Sequence, residues 1–279
     1  MTLIGETNLT RITETLYSFI LPRKVVTFNE IVQEATKIIN NSASRKYIYD
    51  KYVTSLIKTG RLEAIRKGLY TVLSPFEQEK KYEPDKLLIA SKIRKEYYLG
   101  FHTALEYYGS AYSSFGEVYV CTKPRNRFDP FSYRRFAFKQ VAVKDVISQV
   151  LEKPYGRSFL KVSSKERTFL ECVARPQYAG GWEECIKSLE NLSGIDADQL
   201  ISLTLKQKGK SIPSRVGYVL ELLKTRSPFY EHISDNLLNK IETKIRDPPQ
   251  YLVSGQKGTL NRKWNLCIPE KFDEKLRGI

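Results

Sequence analysis

The residues with the most chemistry to offer lie between positions 44 and 73. Arg45 and Lys46 follow Ser44 at the start of an amphipathic stretch whose apolar positions are Ile48, Tyr52, Val53, Leu56 and Ile57. A helix capped by Ser44 turns Arg45, Lys46, Tyr49, Asp50 and Thr54 largely away from that apolar face. Cationic side chains at a helix start suit guanine edges or phosphates, and the helix N-terminus itself favours phosphate. Gly60 ends the stretch in the position that tolerates positive φ. LEAIRKGLYTVL then reads as a hairpin with Arg66, Lys67 and Gly68 at its tip, placed to touch flanking backbone or the minor groove. A basic helix followed by such a hairpin is the closing half of a winged helix-turn-helix, with the helix N-terminus set to reach base edges.

Signatures of other chemistry fail. Cys121, Cys172, Cys185 and Cys267 form no C-x-x-C pair and only two histidines accompany them, so no metal site is expected. Gly209-Lys210-Ser211 resembles the tail of a phosphate-binding loop, but Thr204 stands where the leading glycine is required. There is no G-x-S-x-G, and His102, just before a capping Thr103 and an apolar helix, reads as a structural or surface residue rather than a base. Glu79-Lys80-Lys81 and Glu242-Thr243-Lys244 lie in a linker and on a charged helix, not at strand ends where a nuclease holds its metal. The expectation is a non-enzyme without catalytic residues or cofactor.

The elements that must position the basic residues follow from periodicity. Ile12, Leu16, Phe19 and Ile20 predict a first helix over 10–21 that ends before Pro22. Thr27 with Glu30 is a capping-box spacing, opening a second helix with Phe28, Ile31, Val32, Ala35, Ile38 and Ile39 on its inner face. Asn40 and Asn41 make the turn to the third helix. Residues 1–76 thus read as a winged helix-turn-helix domain, and polar residues 74–84, bounded by Pro75 and Pro84, as a linker. Residues 84–279 read as a larger mixed α/β domain, making the chain α+β overall. In it Pro84 opens a helix to about Glu96, and a short helix over 103–108 stops at Gly109. EVYVCT (117–122), RRFAFKQVAV (134–143) and 159–162 read as strands, with a basic-aromatic loop over 123–133. Ser163 or Ser164 caps a helix stopped at Pro176, and Gly180-Gly181 opens another to about Leu192. Three more follow near 196–207, 213–224 and 234–245, then two strands around a glycine-bearing turn in 251–269.

The net charge of +15 favours a polyanionic partner. It is spread: residues 1–75 hold 11 Lys+Arg against 6 Asp+Glu, and the remainder holds 35 against 25. A basic tail on a neutral enzyme is therefore excluded, and the larger part of the chain is charged to touch the same partner. No apolar run approaches the roughly 20 residues that span a bilayer, so no membrane partner is expected. With no signal-like segment and scattered cysteines, the expected location is the cytoplasm.

AIRKGLYTVL, YLGFHTALEYYG, SSKERTFLECVARPQYAGG and SRVGYVLELL, in this order, resemble the AbiEi family of type IV antitoxins from abortive-infection toxin–antitoxin systems. The resemblance covers most of the chain; its more specific part is Ser164-Lys165-Glu166-Arg167, Arg175-Pro176, Gly180-Gly181 and Arg215 with Gly217. It implies an N-terminal domain that binds double-stranded operator DNA and represses its own operon. It also implies a C-terminal domain that counteracts a nucleotidyltransferase-like toxin, with no stable complex required. Lys165, Arg167, Arg175 and Arg215 are the residues it nominates there; the segment beyond Pro269 carries none of the resemblance. Three other readings stay open: a winged-helix regulator with a non-catalytic sensor or dimerisation domain and no toxin, an enzyme acting on nucleic acid, and RNA binding through the 123–133 loop.

Overall fold

A computed structural model describes residues 2–39, 43–79, 82–246, 248–270 and 272–277; Asn40 and Asn41 lie outside them. The chain opens with α1 (Thr2–Ile20), which begins about eight residues earlier than the apolar spacing indicates. A single 3-10 turn through Pro22 leads to β1 (Val25–Thr27) and α2 (Phe28–Ile39). The Thr27–Glu30 box closes reciprocally: Thr27 donates its amide to Glu30 at 2.7 Å, and Glu30 donates its amide to the Thr27 hydroxyl at 3.2 Å. α3 (Arg45–Ile48) starts at Ser44, whose hydroxyl accepts the Tyr47 amide at 3.1 Å. It widens through a π turn (Tyr49–Val53) into α4 (Thr54–Lys58). The wide turn inserts a residue into the helical count. Hence Ile57, expected inside, is exposed, while Ile48, Tyr52, Val53 and Leu56 are buried. Phe19, also expected on an inner face, is exposed.

β2 (Leu62–Arg66) and β3 (Leu69–Val72) form the hairpin, and β1 adds antiparallel to β3. β3 is buried along its whole length because its two faces serve different cores. Tyr70 and Val72 join Leu16, Ile31 and Tyr52 beneath the helices. Leu69, with Val25 and Ile65, instead enters a core with Leu87, Ile89, Val118 and Phe138. The hairpin therefore does not project freely; it is clamped between the N-terminal helices and the following unit. Glu63 on β2 strengthens the clamp by accepting Tyr133 Oη at 2.7 Å and Arg134 at 3.0 Å.

The expected linker is partly helical. Ser74-Pro75-Phe76-Glu77 is a second capping box, and α5 (Pro75–Glu79) follows, with Glu77 accepting the Ser74 amide and Lys24 Nζ. The helix expected from Pro84 to Glu96 is shorter, α6 (Lys86–Ser91): Asp85 is its cap, accepting Leu87 N at 2.7 Å. Residues 92–97 are a turn leading to β4 (Tyr98–Leu99). After α7 (Phe101–Tyr107) come β5 (Glu117–Thr122), β6 (Phe131–Tyr133), β7 (Phe136–Ala142), β8 (Val150–Tyr155) and β9 (Ser158–Ser163). They form one sheet in the order β6-β7-β5-β4-β9-β8, with β5–β7 and β4–β9 parallel and the rest antiparallel. β5 is apolar from Val118 to Cys121 because Val118 and Val120 face the α6 side while Tyr119 and Cys121 face the helical side. β8 escaped sequence reading because it is an edge strand, mostly exposed and carrying Pro154.

α8 (Lys165–Ala174) is capped by Ser164, and α9 (Gly181–Glu190), α10 (Ala197–Leu205), α11 (Ser211–Arg226) and α12 (Asp235–Glu242) follow. α11 is the central helix of this layer, burying Val216, Gly217, Tyr218, Val219, Leu220 and Leu223. The end holds three strands rather than two: β10 (Gln250–Tyr251), β11 (Gly258–Asn261) and β12 (Leu266–Pro269), before α13 (Phe272–Arg277). The glycine-bearing stretch joins β10 to β11, which do not pair. β12 instead pairs parallel with β10, and the hairpin turn lies at Arg262–Asn265, closed by Asn265 at φ +45°.

Candidate nucleic-acid interface

At the start of the basic helix, Arg45 stacks over the Phe28 ring, 4.9 Å to the centroid, and donates to Asn29 Oδ1 at 2.8 Å. Tyr49 meets the same ring edge-on at 5.8 Å, so Phe28 is the platform that sets both side chains. Lys46 and Asp50 are exposed, as is Ser44. Thr54 is half-buried and its hydroxyl donates to Tyr49 O at 3.1 Å. The proton of that hydroxyl is used inside the helix, leaving it only as an acceptor.

The hairpin tip divides. Gly68 at φ +77° makes the turn and Lys67 is exposed. Arg66, expected to reach outward, lies over the Phe131 ring at 4.6 Å, and its Nη1 is enclosed without a hydrogen-bond partner among the described residues. Its stacking partner comes from β6, 65 positions away, a contact invisible in the hairpin's own sequence.

The helix start and the hairpin tip open on one cleft of about 630 Å³. Its other wall is the turn after α6, bearing Lys92, Arg94 and Lys95. Sequence reading missed these three by placing them inside a helix to Glu96. The K-I-R-K run at 92–95 was the available signal.

The four C-terminal candidates do not converge, and their charged groups are largely used internally. Lys165 donates to Ser193 O at 2.8 Å and covers Tyr108. Arg167 is mostly buried: it pairs with Glu171 at 2.8 Å, donates to Tyr98 Oη and Asp145 O at 2.7 Å, and bonds Ser148 O. Burial opposes its charge, but Glu171 and Tyr98 outweigh burial and hold its pKa above the usual value. Arg175 stacks on Phe101 at 4.6 Å and donates to Ala142 O. Arg215 donates to Tyr251 O at 3.0 Å, and burial lowers its pKa. Arg167 and Arg175 share a cleft of about 440 Å³.

Asp145, beside Arg167, offers a pH test. Its carboxyl is held at about 2, first by its hydrogen bond with Ser148 and, against partial desolvation, by the Ile147 and Ser148 amides and Arg167. The unfolded value is about 3.9. A depressed folded pKa contributes stability above the unfolded pKa and loses it as pH falls through the folded one. Asp145→Asn is therefore expected to be less stable than the parent at pH 6, with the gap closing as pH falls from about 4 to about 2. Urea midpoints across that range check this; a pH-independent gap would contradict it.

His102 is fully buried, stacked on Phe115 at 3.8 Å, with Nε2 3.1 Å from Glu184 Oε1. Glu184 also accepts the amide and hydroxyl of Ser113 at 2.8 and 2.9 Å. This polar core ties α7 to α9, and of the two placements expected for His102, structural or surface, it is the buried one that is found. Cys121, Cys172 and Cys185 are buried free thiols and Cys267 is partly exposed. Among the described residues no group of His, Cys, Asp and Glu could hold a metal ion, and no helix is long and apolar enough to cross a membrane.

The chain is a mixed α+β protein with a basic cleft between its N-terminal helices and hairpin and its central sheet. No protein-family model matches it, and no curated protein does. Among solved structures it is similar to the RV2827C protein from Mycobacterium tuberculosis, with a TM-score of 0.60 and 14% identity over 92% of this chain and 91% of that one. At that identity the likeness is one of fold.

Proposed function

We propose that the N-terminal unit is a winged helix-turn-helix that binds double-stranded DNA of the chain's own operator, making the protein a non-catalytic transcriptional autorepressor. The observation that carries this reading is the placement of Arg45, Lys46 and Lys67. Arg45 at a helix start and Lys67 at a hairpin tip line one cleft, with Phe28 fixing the approach of Arg45 and exposed Lys46 next to it in the same helical turn. We further propose that the protein is the antitoxin of a type IV system acting against a nucleotidyltransferase-like toxin. That part rests on the ordered resemblance through Lys165, Arg167, Arg175 and Arg215 and on the +10 charge beyond residue 75.

One observation favours a second reading, a regulator without a toxin partner: the four nominated residues serve internal bonds and stacks rather than one exposed surface. Two experiments on the full chain separate these readings. A reporter driven by the chain's own upstream region is repressed by the parent and released by Lys46→Ala; equal repression would remove the DNA assignment. Co-expression with the adjacent gene product restores growth if the chain is an antitoxin and leaves growth arrested if it is a plain repressor.

A further inference from the structure

We propose that the turn after α6 is the second wall of the DNA site. Lys95, with Arg94, would hold the sugar-phosphate backbone of the duplex whose groove the basic helix enters. The inference rests on the DNA-binding reading and adds a contact surface from outside the winged helix.

The charge balance of the cleft carries it. Arg45, Arg66, Lys67, Lys92, Arg94 and Lys95 line it against a single carboxylate, Glu30. Glu30 is taken up by Lys92 at 2.5 Å; despite burial, that bond and the Thr27 amide keep its pKa below the usual value, so the two charges cancel. The other five cations form no ion pair among the described residues. Arg94 donates to neutral carbonyls of Ile93, Asn126 and Arg127 at 2.6–3.1 Å, and Arg45 to the neutral Asn29 amide. These bonds fix the guanidinium groups without neutralising them. Arg66 Nη1 has no partner, and the Lys95 side chain is exposed. Five uncompensated cations in one cleft repel each other and favour a polyanion.

Arg94 grips the backbone of the 123–133 loop and holds it beside the turn, where Asn126 Nδ2 donates to Glu96 at 2.9 Å and exposed Arg125 pairs with the same carboxylate at 3.9 Å, so Arg125 adds no uncompensated charge. The walls are also mutually fixed, by Glu63 with Tyr133 and Arg134 and by the shared core of Leu69 and Leu87. A duplex carries one negative charge per about 1.7 Å of axis, so a backbone strand following the cleft meets several of these cations. Single-stranded RNA fits less well, because it needs exposed rings for stacking. Tyr97 is buried here and Phe28 is covered by Arg45.

The test measures affinity of the full chain for a duplex from its own upstream region at several salt concentrations, comparing the parent with Lys46→Ala and Lys95→Ala. Lys95→Ala is expected to shallow the slope of log K against log salt by about 0.9 and to weaken binding roughly eightfold at 0.1 M salt, as one lost phosphate contact requires. Thermal unfolding of Lys95→Ala should match the parent. If Lys46→Ala weakens binding but Lys95→Ala changes neither affinity nor slope, the second wall is refuted and the winged-helix reading stands. If the parent binds no duplex, both fall. A loss confined to single-stranded RNA would also overturn the proposal.

Discussion

Replacing Arg45 and Lys46 together with alanine is expected to weaken binding to the upstream duplex by about 3 kcal/mol, roughly 150-fold, in the full chain. Both side chains stand at the first turn of the basic helix, and neither belongs to the buried set that folds the N-terminal unit. Their loss removes two cations and any base-edge hydrogen bonds they make, while Ser44 still caps the helix. Arg45 contributes a stack on Phe28, so a small stability cost accompanies the change, on the order of 0.5–1 kcal/mol for an exposed cation–π pair. Binding and stability therefore separate: affinity falls by far more than the fold can account for. Anisotropy titration with parallel thermal melts reads both. Unchanged affinity in the double variant would remove this helix from the interface.

A large stability effect is expected at Gly217, in the middle of α11. Alanine normally improves on glycine in a helix interior by about 1 kcal/mol. Here the sign reverses, because a Cβ at 217 would stand 2.0 Å from Cζ3 and 2.3 Å from Cε3 of Trp264. Trp264 is fully buried, and its indole donates to Glu221 Oε2 at 2.6 Å, so the ring cannot slide away without giving up that bond. Gly217→Ala is expected to cost about 3 kcal/mol net, an overpacking penalty, and to lower the melting temperature by about 6 °C. In a Trp264→Leu background the same substitution should cost at least about 1 kcal/mol less, since the two sites share one space. A melting temperature within 1 °C of the parent would show that the ring yields freely. Within the resemblance, Gly217 thus has a physical role of its own: it admits the indole that joins the C-terminal strands to α11.

Local signals were legible wherever a few neighbouring residues decide the structure. The Thr27–Glu30 box, the Ser44 cap and the cap at Ser163 or Ser164, which proves to be Ser164, follow from side-chain-to-backbone bonds within three residues, and the stop at Gly60 from its positive φ. EVYVCT was legible because both its faces are buried. The misses are long-range. Nothing near Arg66 announces Phe131, and nothing near Lys165 or Arg215 announces Ser193 O or Tyr251 O. The 92–95 turn was misread because its apolar Ile93 continues a helical period, whereas the chain must turn there to deliver Tyr98 and Leu99 into the sheet. In the candidate site, the helix start and the Gly68 turn with Lys67 were thus legible, and the seat of Arg66 and the opposite wall were not.

The central claim is that this cleft belongs to a sequence-specific duplex-DNA binder. The measurement that bears on it most directly is a titration of the unmodified full chain against its own upstream duplex and a scrambled duplex of equal length and composition, from 50 to 200 mM salt. The expected result is tighter binding of the upstream duplex by at least about a thousandfold, with a log–log salt slope of about −4 or steeper, reflecting some five phosphate contacts. Equal affinity for the two duplexes, or affinity that does not change with salt, would contradict it.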